Sequence, residues 1–365
     1  MGAILPDRNL NILIRMPNWL GDCIMALPAL HHLGEALPAA NIYLAGRAPF
    51  RELFLAQRGV AGFVEAPGSG FANLVGGLTA TKSAVTQGGV PGPIDVGILF
   101  TNSLSTAAWM WRTGAAIRIG YNLDCRRVFL SHPVPCGGVE KAWHFIRYYI
   151  WLAKFAESTV SESKDVSRRE TRPLGEYFLP ELSVGEKGRA QAASLLAGSG
   201  FSGRYAVIAP ASAYGEVKDW PAAHYRRLVE DLNRRLSLPV VITGGAGQQG
   251  VCEAIASGQD AAINLAGKTD LDAFAGLLAG AALFVGGDSG GAHVAAALGV
   301  PTLVIFGITN PSRTRPSGKK VREIGRGEDH DVKLSTLEAR EAAKSALSAI
   351  QPETVLETAI ELMAK

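Results

Sequence analysis

The chain is poor in the features that mark several whole classes of protein. Among its 365 residues there are only 4 cysteines. These are Cys23, Cys125, Cys136 and Cys252, with no C-x-x-C spacing and no histidine cluster nearby, so neither a disulfide framework nor a zinc site is expected. His31, His32, His132, His144, His224 and His330 show no mutual ligand spacing either, and no metal is expected. Charge of one sign is also scarce. A formal net charge of +3 is too small to argue for nucleic acid, though it suits an acidic small ligand or contact with an anionic membrane face. The long uncharged stretch from Ser289 to Ser312 is broken by glycines and Pro301, so it reads as helix plus strand and not as a membrane span. Met1 to Asn9 carries Pro6, Asp7 and Arg8 and lacks an apolar secretory segment. A cytoplasmic globular protein is the expectation.

Glycine and short apolar runs are abundant. The 42 glycines and 47% hydrophobic residues favour α/β architecture with tight strand-to-helix turns. The length implies two domains. Strands are expected at Asn11 to Met16, Asn41 to Ala45, Ile94 to Phe100 and Ile117 to Gly120, with helices at Cys23 to Glu35, Ser103 to Arg112 and Lys141 to Ala156. Gly68 to Pro93 reads as a loop with a weak helix. The polar stretch Glu157 to Arg172 reads as a linker, which divides the chain into domains 1–170 and 171–365. Alternation then resumes, with strands at Tyr205 to Ala209, Pro239 to Thr243, Ala262 to Leu265, Leu283 to Val285 and Thr302 to Phe306. Helices are expected at Ala222 to Leu236, Gln248 to Ala256, Leu271 to Ala279 and Gly291 to Leu298, and two more from Thr336 to Met363. In doubly wound sheets ligands bind at the carboxyl ends of the strands, which directs the search to the strand-to-helix turns.

Four such turns carry chemistry. Gly286-Gly287-Asp288-Ser289-Gly290-Gly291-Ala292-His293 joins an apolar strand to a helix, so its N–H groups meet the positive end of a helix dipole. That is an anion site in waiting. Asp288 and Ser289 are also candidate helix caps. The stretch spells a trypsin-like nucleophile motif, but a serine between a parallel strand and a helix is in the wrong architecture for one. Gly245-Ala246-Gly247-Gln248-Gln249-Gly250 matches a dinucleotide fingerprint, yet the next strand ends in Ala266-Gly267-Lys268 without the acid a ribose needs; a tight turn is the better reading. Asp22, in Trp19-Leu20-Gly21-Asp22, is either a dipole partner at a helix start or a general base at the strand end. Lys218 is either a solvated loop lysine or a point charge for a diphosphate.

Taken together, ILIRMPNWLGDCIMALPAL (12–30), TNSLSTAAWMWRTGAAIRIGY (101–121), APASAYGEVKDWP (209–221) and NLAGKTDLDAFAGLLAGAALFVGGDSGGAHVAAALGVPTLVIFGITNP (264–311) resemble the ADP-heptose:lipopolysaccharide heptosyltransferases of glycosyltransferase family 9, in particular their heptosyltransferase II branch. The resemblance implies a GT-B fold, two Rossmann-like doubly wound domains facing across a cleft, with the acceptor on the first and the nucleotide sugar on the second. It implies an inverting, metal-independent transfer of heptose from ADP-heptose to the lipopolysaccharide inner core, with no cofactor. Asp22 matches the family's base and Lys218 its phosphate-contacting lysine. Asp288, Ser289, Gly290 and His293 match the donor signature, while Ser212 and Thr269 lie in matching donor-side loops. Arg118, Arg126 and Arg127 are either binders of acidic acceptor groups or ordinary surface arginines. Gly291-Ala292, in place of a bulkier pair, and the loop bearing Arg313 and Arg315 depart from the family pattern. The implied partners are a nucleotide-sugar donor and a lipid-linked oligosaccharide acceptor, handled by a monomer touching the inner face of the membrane. The competing readings are a GT-B enzyme acting on another nucleotide sugar, as transferase or epimerase, and a non-catalytic nucleotide-binding protein.

Overall fold

A computed structural model describes residues 9–68, 85, 89–136, 143–161, 178–201, 203–212, 215–307, 311–325 and 337–364. The chain divides into two compact units, Met1–Phe178 and Leu179–Lys365. Each is built on one sheet of six parallel strands.

The first unit contains β1 (Asn11–Arg15), β2 (Asn41–Gly46), β3 (Val60–Glu65), β4 (Val96–Leu99), β5 (Ile117–Tyr121) and β6 (His132–Val134), in the order β3-β2-β1-β4-β5-β6. The second contains β7 (Ala206–Ala209), β8 (Val240–Ile242), β9 (Ala262–Asn264), β10 (Leu283–Gly287), β11 (Thr302–Ile305) and β12 (Val321–Ile324), in the order β12-β11-β10-β7-β8-β9. Both orders are the doubly wound 3-2-1-4-5-6 arrangement. Central strands are covered on both faces, which is why β1 and β4 are buried at every position and are apolar apart from Asn11 and Arg15 at the ends of β1.

Three strands escape the sequence reading, and all three are sheet edges: β3, β6 and β12. An edge strand needs no continuous apolar run. β6 is His-Pro-Val, and a proline that lacks an N–H is tolerated at an edge. β12 carries Arg322 and Glu323.

The helix expected over Cys23 to Glu35 is two helices, Leu20–Met25 and Leu27–Ala36. Pro28 lies in the first turn of the second and has no N–H to continue the first. The start of the expected linker belongs to the helix Phe145–Val160, and residues 162–172 lie outside the described ones, as does most of the loop expected over 68–93. The helices Glu186–Ala197 and Arg51–Leu55 were not anticipated. The C-terminal pair is present as Leu337–Ser348 and Pro352–Met363. The second helix packs its buried Val355, Leu356 and Ala359 into the core of the second unit.

Candidate functional site

In each unit the sheet order reverses beside its first strand, between β1 and β4 and between β7 and β10. The turns leaving β1, β7 and β10 hold Asp22, Ser212, Lys218, Asp288 and Ser289.

In the first unit, β1 ends at Arg15 and the chain turns through Met16 to Trp19 into the helix Leu20–Met25, with Asp22 in its first turn. The helix dipole favours a negative charge there. Asp22 is half-buried. Its charge reaches two interior groups: burial first, and then Asp22, push the Cys23 thiol and the Tyr149 hydroxyl up. Both stay protonated at neutral pH, and neither competes with Asp22 as a base.

The turn is held from beneath by Arg15, a cation within a fully buried strand. Its guanidinium donates to the carbonyl of Met16, to Asn18 Oδ1 at 2.8 Å and to the carbonyl of Pro67 at 2.6 Å. Burial pulls it down from its ordinary 12.5 to about 10. The signal in the sequence was a charge closing the run Ile12-Leu13-Ile14, which a purely structural central strand has no use for.

Beyond the end of β4, Asn102 Oδ1 accepts from Arg126 Nη2 and from the Tyr148 hydroxyl, each at 3.1 Å. Arg126 also donates to the carbonyls of Tyr121 and Thr101 and is entirely buried. The expectation that Arg126 presents itself to an acceptor is therefore corrected: carbonyl groups of the protein absorb its donors, and it braces the end of the first sheet. Arg118 is half-buried and donates to the carbonyls of Phe129 and Ala115 at 2.7 and 2.6 Å. Among the three, Arg127 alone is exposed.

In the second unit, β7 leads through Ser212 to a short 3-10 turn, Glu216–Lys218. β10 leads through Asp288 and Ser289 into the helix Gly290–Ala297. The two turns meet: Lys218 Nζ lies 3.6 Å from Asp288 Oδ2, with both side chains largely shielded. Gly287 permits this approach, since a Cβ there would stand 3.3 Å from the carbonyl oxygen of Lys218. The loop is fixed by Asp219, whose Oδ1 accepts from the Ser212 N–H at 2.8 Å. Trp220 is buried and donates to the carbonyl of Ile350 at 3.0 Å, which ties the loop to the C-terminal helices.

Ser289 occupies the cap position of the helix Gly290–Ala297 without a side-chain cap bond. The capping role expected of it is thus absent, and its hydroxyl is left for another partner. Ser212 Oγ is buried and has no hydrogen-bond partner among the described residues, an arrangement that ordinarily calls for one. His293 is buried in the first turn of that helix. The volume vacant at Gly291 is taken by Phe274, whose Cζ would stand 3.1 Å from a Cβ. Thr269 is half-buried in the loop after β9, beside Asp270, the cap of the helix Leu271–Ala279. Among the described residues, no hydrogen bond or ion pair joins it to Lys218 or Asp288.

The glycine-rich turn at 245–250 is satisfied internally. Gln248 Oε1 accepts from the Gly245 N–H at 2.8 Å, so an N–H that a phosphate would need is already used. Among the described residues no group of three or more histidine, cysteine or acidic side chains could hold a metal ion, and no helix is long and apolar enough to cross a membrane.

A family model, glycosyltransferase family 9 (heptosyltransferase), matches residues 92–344. The lipooligosaccharide heptosyltransferase 2 of Haemophilus influenzae is 27% identical over 366 residues, covering 98% of this chain and all of that one. A solved structure of Escherichia coli ADP-heptose lps heptosyltransferase II superimposes with a TM-score of 0.77 at 25% identity, covering 97% of this chain and 99% of that one. The family 9 glycosyl transferase of Veillonella parvula has a TM-score of 0.80 at 20% identity, covering 99% of each chain, and shares the fold.

Proposed function

This chain belongs to glycosyltransferase family 9, and from that premise we propose that it transfers heptose from ADP-heptose to the inner core of a lipopolysaccharide, with inversion at the anomeric carbon. The observation that carries the donor half is the Lys218–Asp288 pair, which meets where the order of the second sheet reverses.

The leaving group is a diphosphate, and its developing negative charge must be stabilised. Lys218 supplies a positive charge, and the first N–H groups of the helix Gly290–Ala297 supply donors without a metal. The hydroxyls of Ser289 and Ser212 are free to donate as well, while His293 backs the helix start. Thr269 belongs to the donor side on family resemblance.

The first unit supplies the base. The Asp22 carboxylate takes the proton of the acceptor hydroxyl as that oxygen bonds to the anomeric carbon. The bond from that carbon to the ADP oxygen breaks on the opposite face, and ADP leaves with the electron pair. The Asp22 proton then passes to solvent. A single displacement of this kind inverts the configuration.

A lipid-linked acceptor places this work at the inner face of a membrane, performed by a peripheral, monomeric, cytoplasmic enzyme without a cofactor. A donor panel with purified protein in EDTA, read by mass spectrometry of the acceptor, tests the reading. ADP-heptose is expected to be the sugar used, and Asp22→Asn is expected to keep donor affinity while kcat falls about 10²–10⁴-fold. Transfer from a different nucleotide sugar, epimerisation without transfer, or full activity of Asp22→Asn would each contradict a named part of it.

A further inference from the structure

Trp19 is 61% exposed, one of four exposed large hydrophobic residues among those described. It lies three residues before Asp22, in the turn that leaves β1. An indole in that position forgoes the burial that normally stabilises a tryptophan, so its exposure needs a reason.

The turn that carries it is rigid. Arg15 Nη2 donates to Asn18 Oδ1 at 2.8 Å, Cys23 Sγ donates to the Pro17 carbonyl at 3.1 Å, and the Cys23 N–H donates to the Trp19 carbonyl at 3.0 Å. These bonds fix the backbone of the turn that presents the indole to solvent. Arg47 follows the end of β2, the neighbour of β1, and is exposed. Its guanidinium reaches the Asn18 carbonyl at 3.4 Å and lies over the Phe50 ring at 5.7 Å. No acidic side chain pairs with it among the described residues.

We propose that Trp19 and Arg47 form the acceptor-recognising shelf of the first unit, taking an anionic pyranose. The indole lies against the apolar C–H face of the sugar ring, and the guanidinium pairs with a carboxylate or phosphate on that sugar or its neighbour. This rests on Asp22 being the base, since the shelf orients a sugar hydroxyl toward it. It also replaces Arg126, whose donors the protein itself absorbs, as a residue that meets the acceptor. Trp19 touches substrate but moves no proton, so its contribution appears in acceptor affinity.

Steady-state kinetics with a soluble, de-O-acylated, heptose-deficient lipopolysaccharide core test this. Trp19→Ala is expected to raise the acceptor KM about five- to tenfold, with kcat and the ADP-heptose KM within about twofold of the parent; Trp19→Phe recovers most of the loss. Arg47→Ala raises the KM for cores that carry the anionic group. Enzymatic dephosphorylation and chemical carboxyl reduction of the core show which group it reads, and Arg47→Ala makes no difference once that group is gone. Titration of the core against intrinsic fluorescence provides a readout without turnover, with quenching expected in the parent and reduced in Trp19→Phe. An unchanged acceptor KM in Trp19→Ala, or loss of binding to anionic vesicles in its place, overturns the proposal. So does a rise in donor KM equal to that for the acceptor. Inactivity of the parent on ADP-heptose with core-induced quenching intact overturns the donor assignment and leaves the shelf standing.

Discussion

A carboxylate has no hydrogen to offer a diphosphate, so the side chain of Asp288 cannot itself ligate phosphate. It meets Lys218 at 3.6 Å, and in the proposed site it would hold the ammonium in position until a more highly charged partner arrives. In the proposed reaction the direct phosphate contacts fall instead to Lys218, to Ser289, whose hydroxyl makes no cap bond, and to the N–H groups that follow. Lys218→Ala is accordingly expected to weaken ADP binding about ten- to a hundredfold, the value of one charge-assisted bond. Calorimetry checks this, and equal affinities would make Lys218 a loop residue and nothing more. Asp22 and Lys218 were legible as candidates because the strand-turn-helix pattern marks where ligands bind. Arg126 was misjudged for a physical reason: a stretch of Arg-Arg looks the same whether a guanidinium faces water or the carbonyls of Tyr121 and Thr101. Only the neighbouring strands decide.

Two elements carry consequences of their own. The helices Glu186–Ala197 and Leu271–Ala279 touch backbone to backbone through Gly188 and Gly276. A Cβ at Gly276 would collide with the carbonyl of Gly188, and one at Gly188 would stand 2.5 Å from that of Asp272. Main chain cannot step aside as a side chain can, so Gly276→Ala is expected to destabilise the second unit by about 1–3 kcal/mol. Chemical denaturation would show it, and an unchanged midpoint would mean that the helices slide apart freely. The edge strand β6 supplies a pH effect. Burial, and then Arg118, lower His132 below its ordinary 6.5. As pH falls through 6.5 the unfolded chain takes up this proton before the folded one does, so stability rises with pH just below 6.5 and is lost on acidification. His132→Gln is expected to show a smaller fall in Tm between pH 7 and pH 5 than the parent; parallel curves would remove His132 from the acid response. The helix Glu186–Ala197 eluded the sequence because only Gly188 and Ala192 of its residues are buried, too few to print an amphipathic period.

At the scale of the molecule, one topology is used twice, and Asp22 in one copy and Lys218 and Asp288 in the other lie where the strand order reverses. Each unit has a hydrophobic cluster of its own, and the residues proposed to hold ADP all belong to the second. Saturating ADP should slow hydrogen exchange in peptides covering 215–221 and 286–293, while 16–26 exchanges as before; equal protection of 16–26 would count against the division of labour. The alternation of apolar runs with glycine turns was enough to predict two doubly wound α/β halves, because parallel strands covered on both faces are apolar over most of their length. The motifs at 19–22 and 286–293 were local enough to read for the same reason: a strand, a turn and a helix are contiguous in the chain. The edge strands β3, β6 and β12, the bracing by Arg15 and Arg126, the Lys218–Asp288 meeting and the exposure of Trp19 beside Arg47 came from tertiary structure alone. Each depends on which segments, far apart in the chain, are brought side by side, and hydrophobic periodicity records burial without recording the neighbour.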